Sequence, residues 1–158
     1  SPYSGSWNTT GATNGSHILT AKAYDAANNV GTSASVSVTV SNGIDLITQS
    51  LTYSPASPAA GNVMTFAGTV KNQGTVSAGS SATRLRIDIG NNGTWDVLPS
   101  NMVTGALSVG ATEIETWSNA WQATKGTHKF EICADANSIV SESIETNNCS
   151  SVVFKVTR

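Results

Sequence analysis

The sequence predicts an all-β chain. Three observations carry that expectation. Apolar residues recur at every second position in short runs, as at Leu85, Ile87 and Ile89 or at Val152, Phe154 and Val156, the period of half-buried strands. Turn-forming Asn, Gly and Pro residues punctuate these runs. No stretch of useful length shows helical periodicity.

Taken in order, residues 1–42 read as three runs: Tyr3 to Trp7, His17 to Asp25 and Ser33 to Val40, with turns at Asn14-Gly15 and Asn28-Asn29. Leu19, Ala21 and Ala23 share one face, as do Val36, Val38 and Val40, so Trp7, Leu19 and Val36 to Val40 are expected to turn inward. Ser41-Asn42-Gly43 is short and turn-prone, which places a joint between residues 1–42 and 43–158. Beyond it, strands are expected at Ile44 to Tyr53, Val63 to Lys71, Ala82 to Ile89, Trp95 to Leu98, Met102 to Leu107 and Thr112 to Trp121. A turn at Pro55 to Gly61 separates the first two. Asn91-Asn92-Gly93 signals a tight hairpin, because Asn and Gly accept positive φ. In Ala82 to Ile89 the pattern turns Arg84, Arg86 and Asp88 outward.

The last two strands meet around a polar loop bracketed by the two cysteines of the chain. Phe130, Ile132 and Ala134 alternate with Lys129, Glu131 and Cys133, and an inward Val152, Phe154 and Val156 face puts Cys149 on the outer side too. Two outward thiols on neighbouring strands are expected to form a disulfide, Cys133–Cys149. Closing a loop of 15 intervening residues contributes about 3 kcal/mol by restricting the unfolded chain. Such a bond implies an oxidising compartment.

The residues of this hairpin, Asp135, Asn137, Glu142, Glu145, Asn147 and Asn148 before a Val-rich strand, resemble the closing hairpin of the CARDB family, extracellular cell-adhesion-related domains of bacteria and archaea. Upstream, Ile44-Asp45-Leu46, Pro58 and Gly61 before Val63 to Lys71, and Asn72-Gln73-Gly74 are similar to the family's first strands and following turn. The resemblance covers roughly residues 43–158. It implies an immunoglobulin-like antiparallel β-sandwich of about seven strands serving as an adhesive or spacer module at the cell surface, with no catalytic residues to carry over. Pro2-Tyr3, Trp7-Asn8-Thr9, Asn14-Gly15-Ser16-His17, Ala21 to Asp25 and Asn28-Asn29-Val30 resemble the second half of bacterial Ig-like repeats, which implies a partial immunoglobulin-like β-segment ahead of the sandwich. The expected partner is therefore protein: an adjacent repeat, or another copy that completes these strands and builds a filament.

Composition narrows the function classes. Of 158 residues 39% are hydrophobic, enough for a packed core, and only 11% are charged, with a net charge of −2. Eight scattered Lys and Arg form no basic stripe for nucleic acid. No apolar run approaches the roughly 20 residues of a membrane span. With neither an initiator Met nor a leader-like segment, the sequence reads as a piece of a secreted protein. Elbow, zinc and phosphate-loop motifs are absent, so no enzyme and no cofactor are expected.

Five features invite chemistry nonetheless. Asp88, Asn92 and Asp96 stand in a stretch faintly like a calcium loop, but position 3 is Gly90 and position 12 is Pro99, where such a loop needs oxygen ligands. Asp135, Glu142 and Glu145 offer a second oxygen cage, against the plainer reading that they bond to nearby backbone groups. Glu113, Glu115, Trp117, Asn119 and Trp121 share one parity. Facing solvent, Trp117 and Trp121 would stack on sugar rings such as cell-surface glycans, making the chain an accessory, substrate-binding domain of a secreted hydrolase; facing inward, they are core. His17 and His128 read as surface residues. Sequons at Asn8, Asn14, Asn92 and Asn148 would accept glycans in a suitable host.

Overall fold

The computed structural model describes residues 4–158, and among them eleven strands form and no helix. The chain divides into two compact units, Ser1–Asn42 and Gly43–Arg158.

In the first unit β1 (Gly15–Leu19) pairs antiparallel with β4 (Val36–Val40), and β2 (Lys22–Tyr24) with β3 (Val30–Thr32). These are two separate two-stranded ribbons. The expected run His17 to Asp25 is therefore broken in two, Ser33 to Val40 is shortened to Val36–Val40, and Val30–Thr32 is a strand that was not expected. The break has a local cause: Ser33 Oγ accepts the Ala21 N–H at 2.9 Å and donates to the Ala34 carbonyl at 2.8 Å, offering the backbone an alternative to a continuous ladder. Ser4 to Trp7 form no strand, and Tyr3 lies outside the described residues. Of the side chains expected to turn inward, Val40 is buried and Val38 half-buried, while the others stay in solvent. Trp7 is 44% exposed, Leu19 41% and Val36 59%, because a single two-stranded ribbon has no second layer to bury them.

The second unit is a sandwich of two antiparallel sheets. One has the order β5-β6-β9, from Leu46–Ser54, Val63–Asn72 and Thr112–Gln122; the other has β11-β10-β7-β8, from Cys149–Val156, Gly126–Cys133, Ser81–Asp88 and Met102–Thr104. Alternation explains which faces meet. Met64 and Phe66 of β6, Leu85 and Ile87 of β7, and Phe130 and Ile132 of β10 are fully buried between the sheets. Phe66 and Phe130 lie 4.8 Å apart, and Phe154 packs on Tyr53 at 4.9 Å. A smaller core of Leu46, Val70, Ala78, Leu107, Ala134 and Val140 is separate from the first.

Some faces differ from the pattern. Asp88 is buried, since the turn after β7 folds back on it: Oδ1 accepts the Asn92 N–H at 2.8 Å and Oδ2 the Gly93 N–H at 2.9 Å, with Lys129 Nζ 3.4 Å away. His128, read as a surface residue, is 1% exposed. Its Nε2–H donates to the Thr124 carbonyl at 2.8 Å and Nδ1 accepts the Gly90 N–H at 3.2 Å, while Trp121 stands edge-on at 4.9 Å. Trp95 to Leu98 returns without forming a strand; Val97 alone bridges Ile87. Trp95 instead lies under Arg86 and Lys129, at 4.2 and 4.7 Å from ring centroid to cation.

Candidate functional site

Strands β10 and β11 run in unbroken register from Gly126↔Val156 to Cys133↔Cys149, which sets the two cysteines opposite each other where the ladder ends. They form a disulfide, with Cα atoms 4.1 Å apart. Only Cys149 is exposed. Cys133, expected to point outward into solvent, is 2% exposed because β10 is an interior strand: Arg84 of β7 is its neighbour on the other side, with Nη2 3.8 Å from the sulfur.

The loop closed by this bond is tied down by its own acids. Asp135, at φ 39°, accepts the N–H groups of Ile139 at 3.2 Å and Val140 at 2.9 Å. That seats Val140 in the smaller core. Glu142 accepts the backbone N–H of Leu46 and, at 2.6 Å, the side-chain amide of Asn148. Glu145 accepts the Glu142 N–H at 2.9 Å. Asn147 donates to Asp45 at 2.9 Å, and Ser143 donates its hydroxyl to the Ile44 carbonyl at 2.8 Å. Burial, with the nearby Glu145 and Asp135 charges, raises the Glu142 pKa above its ordinary value despite the two donors. Beside the disulfide opens a cavity of about 150 Å³, lined among others by Arg84, Asp135, Glu145 and Asn148.

The other candidates separate. In the turn after β7, Asp88 and Asp96 are occupied by backbone N–H groups, Asp96 Oδ2 taking that of Ile89 at 2.7 Å. For Asp88, burial alone would raise the pKa, but the N–H groups of Asn92 and Gly93 and the Lys129 ammonium outweigh it and hold it low. Trp117 and Trp121 are core, 5% and 8% exposed, and Trp117 Nε1 donates to the Ser100 carbonyl at 3.0 Å. They present no stacking face to a sugar. Ile114, on the opposite parity, is 68% exposed.

Two features escaped the sequence reading. Glu115 is buried and accepts the Thr104 hydroxyl at 2.7 Å, and Thr104 shares a 2.6 Å hydrogen bond with Thr83. This polar chain joins β9 to the opposite sheet. Burial raises the Glu115 pKa, opposed by the Thr104 hydroxyl and helped by Glu113. The second is Glu131, whose Oε1 lies 2.9 Å from Cys133 Sγ. Among the described residues, Glu131, Cys133 and Cys149 are a set of three ligating side chains whose donor atoms lie within 4.8 Å of one another. The shared parity of Glu131 and Cys133 was the signal for it.

Comparison with known proteins places the second unit. The CARDB family profile matches residues 43–152. The crystal structure of a CARDB domain from Pyrococcus furiosus, in complex with di-metal ions, superposes with a TM-score of 0.59 at 21% identity, over 76% of this chain and 95% of that one. The solution structure of that domain gives 0.58 at 24%, over 73% and 97%. A domain of a putative cell surface protein from Methanosarcina acetivorans gives 0.54 at 20%, over 72% and 91%. Identities this low show the shared fold. Among curated proteins none matches.

Proposed function

Since the chain belongs to the CARDB family, cell-adhesion-related domains, through residues 43–152, we propose that it is a non-catalytic adhesion module working outside the cell, joined to other copies of itself through its first unit. The adhesion-type role rests on the family. The extracellular setting is supported by the disulfide, a bond that persists in oxidising compartments.

Self-association is carried by one observation: the first unit leaves most of its large apolar side chains uncovered. Trp7, Ile18, Leu19, Tyr24, Val30 and Val36 are 41–73% exposed, and isolated two-stranded ribbons are at best marginally stable in water. Covering such a surface is favourable by about 25 cal/mol for each Å² of apolar area removed from water. Each ribbon has unpaired edges that accept another strand. The unit carries one Lys, Lys22, and one Asp, Asp25, so like copies do not repel each other. We commit to a second copy as the occupant.

Beads coated with the chain test this reading. They should cluster with one another, and substituting Ile18 and Val36 by Asp should disperse them. Clustering that survives those substitutions, or hydrolysis of a glycoside or peptide by the pure chain, would contradict it.

A further inference from the structure

We propose that reduction of the Cys133–Cys149 bond converts Glu131, Cys133 and Cys149 into a binding site for a divalent cation of the zinc class. The inference goes beyond the adhesion reading and does not depend on it. Its basis is placement. Glu131 and Cys133, two residues apart on β10, project from the same side of the strand. The register sets Cys149 directly across from Cys133, and the three donor atoms lie within 4.8 Å of one another. Zinc binds thiolate sulfur at about 2.3 Å and carboxylate oxygen at about 2.0–2.2 Å in a tetrahedron, so small side-chain movements bring three donors onto one ion. The fourth position opens toward the cavity of about 150 Å³ beside the sulfurs, where water completes the shell.

The surroundings favour a soft or borderline cation over calcium or magnesium. Two thiolates outweigh one carboxylate in choosing the ion, since hard cations take oxygen ligands. Arg86 holds the Glu131 carboxylate at 2.6 Å and is itself stacked on Trp95 at 4.2 Å, which keeps the carboxylate beside the sulfur. Such partners orient a ligand before the metal arrives. In the oxidised protein each sulfur is bonded to the other and neither is a thiolate, so disulfide and cation exclude each other. Both would fasten the same two strands.

The redox step balances with a phosphine as reductant. The phosphine attacks the exposed Cys149 sulfur and Cys133 leaves as a thiolate; water then supplies the oxygen of the phosphine oxide, and its two protons end on the two sulfurs. Binding the cation releases both protons.

Cobalt(II) is the probe, because thiolate-to-cobalt charge transfer reports sulfur ligation directly. The full chain, reduced with a phosphine, should bind one Co2+ with that absorption, displaced by Zn2+, while the oxidised chain shows none. Glu131→Gln should weaken binding by about tenfold or more. Cys149→Ser should remove the charge-transfer band, and Asp25→Asn, which removes an exposed carboxylate of the first unit, should leave affinity unchanged. The proposal is overturned by a reduced chain that binds no cobalt, by equal binding in the oxidised chain, or by an unaltered Glu131→Gln. Unfolding on reduction, read by tryptophan fluorescence, overturns it as well, since the site needs the two strands in register.

Discussion

The carboxylate of Glu142 accepts the backbone N–H of Leu46, 96 residues earlier in the chain. The last loop of the sandwich is thereby fastened to the beginning of its first strand. Because Leu46 is 1% exposed, water cannot replace that acceptor. Glu142→Ala should therefore cost about 1–3 kcal/mol, the penalty for a buried donor left unpaired. Glu142→Gln, which keeps an acceptor, should cost less. Urea unfolding of the two variants side by side measures the difference.

The disulfide holds the same loop from its other end. Replacing both cysteines by Ala should lower stability by about 3 kcal/mol, the chain-entropy value for a loop of this length. A reduced wild-type chain should show a similar loss of urea midpoint. Near-equal midpoints for oxidised and reduced protein would mean that the hydrogen bonds of Asp135 and Glu142 suffice to close the loop.

Gly74 marks a close backbone crossing. A Cβ there would stand 2.2 Å from the Gly43 carbonyl oxygen and 2.6 Å from the Asp45 nitrogen, and both neighbours are backbone atoms that cannot rotate away. The crossing is held by the Thr75 N–H on the Gly43 carbonyl at 2.7 Å and the Gln73 N–H on the Asp45 carbonyl at 2.8 Å. Gly74→Ala should destabilise the sandwich by about 1–3 kcal/mol, the range for forced overpacking, visible as a lowered melting temperature. An unchanged melting temperature would show that the crossing yields.

Stability should pass through a maximum in mildly acidic solution. Glu115 and Glu142 are raised by burial in the folded state, so the folded chain holds those protons to higher pH than the unfolded one. Stability from these groups is present below the ordinary Glu value and falls as pH rises through the raised ones. Asp88 has the opposite sign: its depressed value supports the fold above the ordinary Asp value, and that support goes as pH falls through the depressed one. Urea midpoints across this range should fall on both sides. Glu115→Gln, which still accepts from Thr104, should flatten the high-pH limb and raise the midpoint at neutral pH.

These groups also mark what the sequence does and does not disclose. Leu85 and Ile87, or Phe154 and Val156, announce their faces because a period of two is a local property of one strand. The Asn91-Asn92-Gly93 turn is legible for the same reason: positive φ at Asn91 and Gly93 is a demand on single residues. Cys133 was assigned the wrong exposure because burial on the outer side of a strand depends on which strand lies beside it, and Arg84, which covers it, stands 49 residues away in the chain. His128 is a different case: it shares the inward parity of Phe130 and Ile132, a local signal that its place at the start of the strand obscured. Glu115 shares the parity of Trp117 and Trp121, so its burial goes with theirs; its partner Thr104 was not legible, since it belongs to the opposite sheet. The broken ribbons of the first unit turn on the Ser33 hydroxyl, a competition between side chain and ladder that strand periodicity does not register.

Self-association through the first unit is the central claim, and a mass measurement in solution across a wide concentration range, paired with limited proteolysis, tests it most directly. Mass should rise well above the 16.2 kDa of one chain as concentration increases. Residues 1–42 should resist protease when associated and be cut on dilution. Substituting Ile18 and Val36 by Asp should return the chain to a monomer with the second unit still folded. A monomer at every concentration whose first 42 residues nonetheless resist protease would contradict the account.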